Sequence, residues 1–174
     1  NSNIQSSAIN SNSSVQAVTT DNIVLASNTV RIGTQKWMAK NLDIGRYRNG
    51  DKIPQVKSAA VWASLTTGAW CWYNNDSATG AVYGKLYNWY AVNDPRGLAP
   101  VGWHIPSDAE WATLTSFLGG YGVAGGKLKE TGTVHWAAPN TGATNSSGFI
   151  GLPGGAREHT DGTFNNYIVV GYWW

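Results

Sequence analysis

The sequence predicts an α+β domain of short antiparallel strands and two helices, and three observations carry that prediction. Ser107, Glu110, Trp111, Leu114 and Leu118 write a capped amphipathic helix over about 107–118, closed by Gly119-Gly120. Short runs rich in Trp, Tyr, Val and Ile recur between Gly and Asn turns, the pattern of small strands. The 174 residues are 42 % apolar, enough for one domain with a real core.

Taken in order, residues 1–28 form an N-terminal arm. Asn1 to Ser14 is almost wholly Asn, Ser, Gln and Ala, the composition of a disordered linker. Val15, Ala17 and Val18, then Ile23, Val24 and Leu25, are uncharged and β-prone, so these two pieces can act as strands. The compact domain is expected over 29–174. Val30, Ile32, Gly33, Trp37 and Met38 predict a hairpin. Ser58 to Leu65 reads as a short helix with Ser58 as cap and Val61, Trp62 and Leu65 on one face. Ala69 to Tyr73 is expected as a strand and Asn74 to Gly80 as a loop, while Tyr83 to Tyr90 fits either a strand or a short helix. Trp103 and Ile105 flank His104 as a strand that Pro106 ends. The glycine-rich stretch after Gly120 reads as loop with short extended pieces. Phe149 to Leu152 is expected as a strand, Pro153 to Arg157 as a tight connection, and Phe164 to Trp174 as a last aromatic strand run.

Charge excludes some functions. Asp, Glu, Lys and Arg make up 13 % of the chain and the net charge is +2, with no basic run, so no nucleic-acid partner is expected. No apolar run reaches the length of a membrane helix. The single cysteine, Cys71, allows neither an internal disulfide nor a thiolate cluster, and its setting between Trp70 and Trp72 is that of a buried, inert thiol. His104, His135 and His159 lie in separate segments without ligand spacing, so no metal or other cofactor is expected. Asp43, Asp51, Asp76, Asp94 and Asp161 sit in Asn- or Gly-rich loops, which could bind calcium but are also how turns are written. No phosphate-binding loop, dinucleotide fingerprint or nucleophile–base set is present, and no catalytic residue is assigned.

Several long motifs resemble the Fibrobacter succinogenes major paralogous domain, a family of bacterial extracellular modules. They are Ile32-Gly-Thr-Gln-Lys-Trp-Met-Ala-Lys-Asn-Leu42, Trp70-Cys-Trp-Tyr-Asn-Asn-Asp76, Tyr83-Gly-Lys-Leu-Tyr-Asn-Trp-Tyr-Ala-Val92, Leu98 to Trp111, Gly151-Leu-Pro-Gly-Gly155 and Gly171-Tyr-Trp-Trp174. The resemblance implies a C-type-lectin-like fold, a secreted or surface location and no enzymatic activity. It also implies closing strands beyond the Gly-Tyr-Trp-Trp motif, and a cysteine where Ala99 stands here.

Two functional expectations follow. The first is a secreted structural subunit that polymerises with copies of itself into an extracellular filament. The arm would donate Val15, Ala17, Val18, Ile23, Val24 and Leu25 to an incomplete sheet edge at Tyr167, Val169, Tyr172, Trp173 and Trp174 of the next copy. The alternative is a monomeric surface adhesin or carbohydrate-binding module, with Trp72 and Trp136 as candidate sugar-stacking residues. Trp89, Trp173 and Trp174 are likewise free to be exposed, whereas Trp37, Trp62, Trp103 and Trp111 are expected in the core. Asn12, Asn75 and Asn145 match the glycosylation sequon and are candidate glycan attachment points.

Overall fold

The computed structural model describes residues 28–174 together with a short strand, β1, at Ser7–Ala8. The architecture is α+β. A hairpin of β2 (Thr29–Ile32) and β3 (Gln35–Met38) is joined by β1 on its far side, giving the order β1-β3-β2. Two small antiparallel pairs follow: β4 (Trp70–Cys71) with β5 (Leu86–Tyr87), and β6 (Gly154–Arg157) with β7 (Phe164–Tyr167). The helices are α1 (Ala59–Ala63), α2 (Ser77–Tyr83), α3 (Trp89–Val92), α4 (Asp108–Phe117) and α5 (Tyr121–Leu128).

Local chemistry explains the elements that the sequence predicts. In α4 the Ser107 hydroxyl accepts from the Glu110 amide, while Glu110 Oε2 accepts from the Ser107 amide at 2.7 Å. Two donors at the helix start are thereby satisfied reciprocally. Leu114 is fully buried, Leu118 lies in the core, and the Trp111 ring meets that of Trp37 at 4.7 Å. Ser58 caps α1 as expected, its side chain accepting from Val61. The β2–β3 hairpin closes on the pair Ile32 and Gln35, with Ile32, Trp37 and Met38 buried.

Other elements differ from expectation. Trp103 and Ile105 pack on the core but form no strand, because the Arg48 guanidinium takes the Trp103 carbonyl at 2.9 Å that a neighbouring strand would use. The stretch expected as loop over 74–80 contains the start of α2, capped by Asp76, whose Oδ1 accepts from Ala78 at 2.9 Å. Gly80 sits inside that helix because the Trp72 ring lies directly against it and leaves no room for a side chain. Tyr83 to Tyr90 is both alternatives in pieces, the end of α2, β5 and the start of α3. The run after Gly120 forms α5, in which Gly126 makes way for the Gly142 carbonyl. Phe149 to Leu152 contributes only a single bridge, Gly151 to Lys129, since Ile150 turns with φ at 57°. The strand lies one segment later, in β6. The last strand stops at Tyr167, where Ile168 again turns with φ at 57°.

Three apolar clusters fill the interior. One gathers Met38, Leu42, Tyr47, Ile53, Trp70 and Tyr87, and a second Ile32, Trp37, Leu114, Leu118 and Phe149. The third holds Trp62, Ala69, Cys71, Tyr73 and Leu86.

Candidate functional site

Two places could carry function, a strand-accepting edge and an aromatic cleft. The edge belongs to β3. Its backbone is paired with β2 on one side and with β1 on the other, Ser7 opposite Trp37 and Ala8 opposite Lys36. The arm therefore contributes a strand through Ser7–Ala8. Val15, Ala17, Val18, Ile23, Val24 and Leu25 lie outside the described residues, as does Asn12.

The C-terminal acceptor edge is corrected by the packing. Tyr167 is already paired with Gly154 in the β6–β7 ladder, and its ring stacks on Tyr73 at 4.6 Å. Val169 is exposed on a turn. The Tyr172 hydroxyl accepts from Asn166 at 2.7 Å. Trp173 lies edge-on to Phe149, and its indole N–H donates to Asn41. The Trp174 carbonyl accepts from the Trp111 indole at 2.6 Å. Residues 168–174 are thus anchored by the chain's own side chains and form no strand.

Neither expected sugar-stacking indole is open. Trp136 is buried, its N–H donating to the Gly151 carbonyl at 3.0 Å, with the Lys129 ammonium 4.8 Å from the ring centre. Trp72 is half-buried between Gly80 and the edge of Trp70. Among the described residues Trp89 and Tyr90 form an exposed pair in ring contact, 48 % and 38 % accessible, with rings 5.4 Å apart and nearly perpendicular. They form one wall of a cleft of about 280 Å³ lined also by Trp62, Ala63, Leu65, Asn88 and His159.

Three pieces of local structure build that cleft. Asn88 caps α3, its Oδ1 accepting from Ala69 and Ala91 while its amide donates to Thr67, so Trp89 and Tyr90 occupy the first turn of a fixed helix. Helix α1 supplies Trp62 and leads directly to Leu65. Arg157 anchors the floor: it is 1 % exposed, and its guanidinium donates to Val56, Lys57 and Gly162 carbonyls at 2.7–2.9 Å. It also sits between the Trp62 and Phe164 rings at 4.6 and 4.7 Å, so one cation fixes the approach to α1 and the loop carrying His159. The sequence signal that could have pointed to the cleft is an Asn cap followed by two adjacent aromatics, a pattern not singled out from the sequence. Arg157 had none, because its partners are backbone carbonyls distant in sequence.

Burial pushes the Cys71 thiol up to about 11, against the opposing influence of Arg157. Burial opposes ionisation of Glu110, but hydrogen bonds from Ser107 and His104 outweigh it and hold the carboxyl below its ordinary value. His135 pairs with Glu130 at 2.7 Å. Among the described residues no three His, Cys, Asp or Glu side chains gather as a metal site. Of the sequon residues, Asn75 donates its amide to Lys57 at 3.1 Å, whereas Asn145 accepts from Ile150 through its oxygen in a surface loop. No helix among the described residues is long and apolar enough to cross a membrane.

Searches of curated proteins and of solved structures return no match to the chain. The family model of the Fibrobacter succinogenes major domain matches residues 30–174, which takes in every described element from the β2–β3 hairpin to Trp174 apart from the first residue of β2. The chain belongs to the Fibrobacter succinogenes major domain family.

Proposed function

We propose that this chain is a secreted, non-enzymatic structural subunit that assembles with copies of itself by strand addition. The N-terminal arm of one copy pairs with the β3 edge of the next. The observation that supports this reading is the position of β1, a strand from the arm set on the side of β3 away from β2. A two-stranded hairpin is marginal alone, and a third strand gives it a partner for its exposed backbone groups.

Chain length makes exchange between copies feasible. Residues 9–28 separate β1 from β2 and can span up to about 70 Å when extended. A domain of this size has a radius of gyration of only about 15 Å. The same β1 strand can therefore lie on its own β3 or on a neighbour's. Exchange in which each copy gives to one neighbour and takes from another is heterologous and does not close on itself, which yields a filament.

The test compares the full chain with a variant lacking residues 1–14 and with one lacking 15–26, by electron microscopy and sedimentation. Fibres from the full chain and monomers from the variant without β1 are expected. Fibres that persist without residues 1–14, or a full chain that stays monomeric when concentrated, would overturn the proposal.

A further inference from the structure

We infer that the cleft between α1, α3 and the 158–162 loop binds a neutral sugar ring, stacked on Trp89. This site is independent of strand addition. Its three features are an open aromatic wall, hydrogen-bonding groups without partners, and the absence of charge.

The wall is Trp89, almost half exposed on a helix that Asn88 holds in place. Exposed indoles are costly to hydrate, and the axial C–H face of a pyranose covers such a ring well. Tyr90 stands nearly perpendicular to it and encloses one side. Trp62 and Leu65 complete an apolar floor.

The lining residues also carry polar groups. Among the described residues, the Trp89 indole N–H, the Tyr90 hydroxyl and the His159 ring make no hydrogen bond within the chain. A flat apolar ligand would leave all three unused. A sugar would occupy them with its equatorial hydroxyls while its C–H face rests on the indole. This combination of apolar wall and few convergent polar groups is how small-ligand sites achieve orientation.

Charge narrows the class. Among the described residues no carboxylate, ammonium or guanidinium lines the cleft, and the nearby Arg157 is buried and turned to three backbone carbonyls. Anionic sugars and phosphates gain nothing here, so the ligand is a neutral hexose or pentose residue. At about 280 Å³ the cleft accepts one ring and the start of a second, which fits a chain end or a branch.

The test uses the full chain and ligand-observed saturation-transfer NMR, a method that works for monomers and for fibres alike. Methyl β-glucoside, methyl β-xyloside, N-acetylglucosamine and cellotetraose serve as probes, with cyclohexanol as a ring without the set of hydroxyls. At least one sugar should bind with a Kd on the order of 1 mM, the strength expected of a single ring. Trp89→Ala should weaken it at least tenfold and His159→Ala several-fold, with far-ultraviolet circular dichroism unchanged. Trp72→Phe, outside the cleft, should leave binding intact. The inference fails if none of the four sugars binds at 20 mM, if cyclohexanol binds as tightly as they do, or if Trp89→Ala binds like the parent. Because the readout does not depend on fibres, these outcomes are separate from those for strand addition.

Discussion

The core beneath α4 and the cleft beside α3 are built from the same kind of residue, yet they treat an indole in opposite ways. Beneath α4, Trp37 donates its N–H to Gln35, Trp111 to the Trp174 carbonyl and Trp173 to Asn41, and each ring packs on Phe149. Trp136 is held in the same manner by Gly151. Beside α3, the Trp89 N–H has no partner among the described residues, and its ring, edge-on to Tyr90, leaves the residue 48 % exposed. An indole whose polar edge and apolar face are both satisfied is part of the fold. One whose polar edge is unpaired and whose ring is half open is available to something else.

Substitutions can break or sharpen that contrast, beginning beneath the cleft. Arg157→Leu should be the most damaging, because the Val56 and Gly162 carbonyls would lose their donor, the Lys57 carbonyl would keep only Asn75, and the Trp62 and Phe164 rings would lose the cation between them. A loss of about 4 kcal/mol is expected by urea denaturation. A loss below about 1 kcal/mol would mean that water replaces the guanidinium and that the cleft floor does not depend on it. Trp136→Ala should cost about 3 kcal/mol by the same measurement, since it leaves a cavity and leaves the Gly151 carbonyl with the Glu130 amide as its one remaining donor. Trp89→Ala should change stability by no more than about 0.5 kcal/mol. Equal losses at the two positions would erase the distinction between a seated and an open indole.

A smaller effect than those at Arg157 and Trp136 concerns the start of α4. Glu110→Gln keeps the shape of the capping box but removes the charge, and should cost about 1 kcal/mol at neutral pH. Because the folded carboxyl lies below its ordinary value of 4.5, its contribution is present above that value and is lost as pH falls through the lowered one. The difference between parent and Glu110→Gln should therefore shrink on acidification, measured as denaturation midpoints between pH 7 and pH 3. A difference that stays constant over that range would show that the charge does not matter.

Legibility from sequence followed the same division. Helix α4, the cap of α1 and the β2–β3 hairpin were readable because their determinants lie within a few residues of one another. Helices α2 and α5 were missed because Gly80 and Gly126 look like breakers. Their glycines serve a distant partner, the Trp72 ring in one case and the Gly142 carbonyl in the other. Strand β6, Gly-Gly-Ala-Arg, has no β-branched residue and owes its conformation to pairing with β7. The candidate site was half visible. Trp89 could be recognised as unconstrained, but so could Trp72 and Trp136. What separates them is whether a carbonyl or another ring happens to meet them in space. Trp89 and Tyr90 offer one local clue: adjacent residues on a helix point about 100° apart, so two aromatics at a capped start cannot both face one core.

The tether between β1 and β2 has a kinetic meaning under the proposed assembly. A link of this length presents β1 to its own β3 at an effective concentration on the order of millimolar. Strand exchange must outcompete that self-occupied state, so dilute copies remain closed and assembly begins only where subunits crowd together. Each copy would thus carry its own inhibitor, released by mass action at the place where a fibre grows.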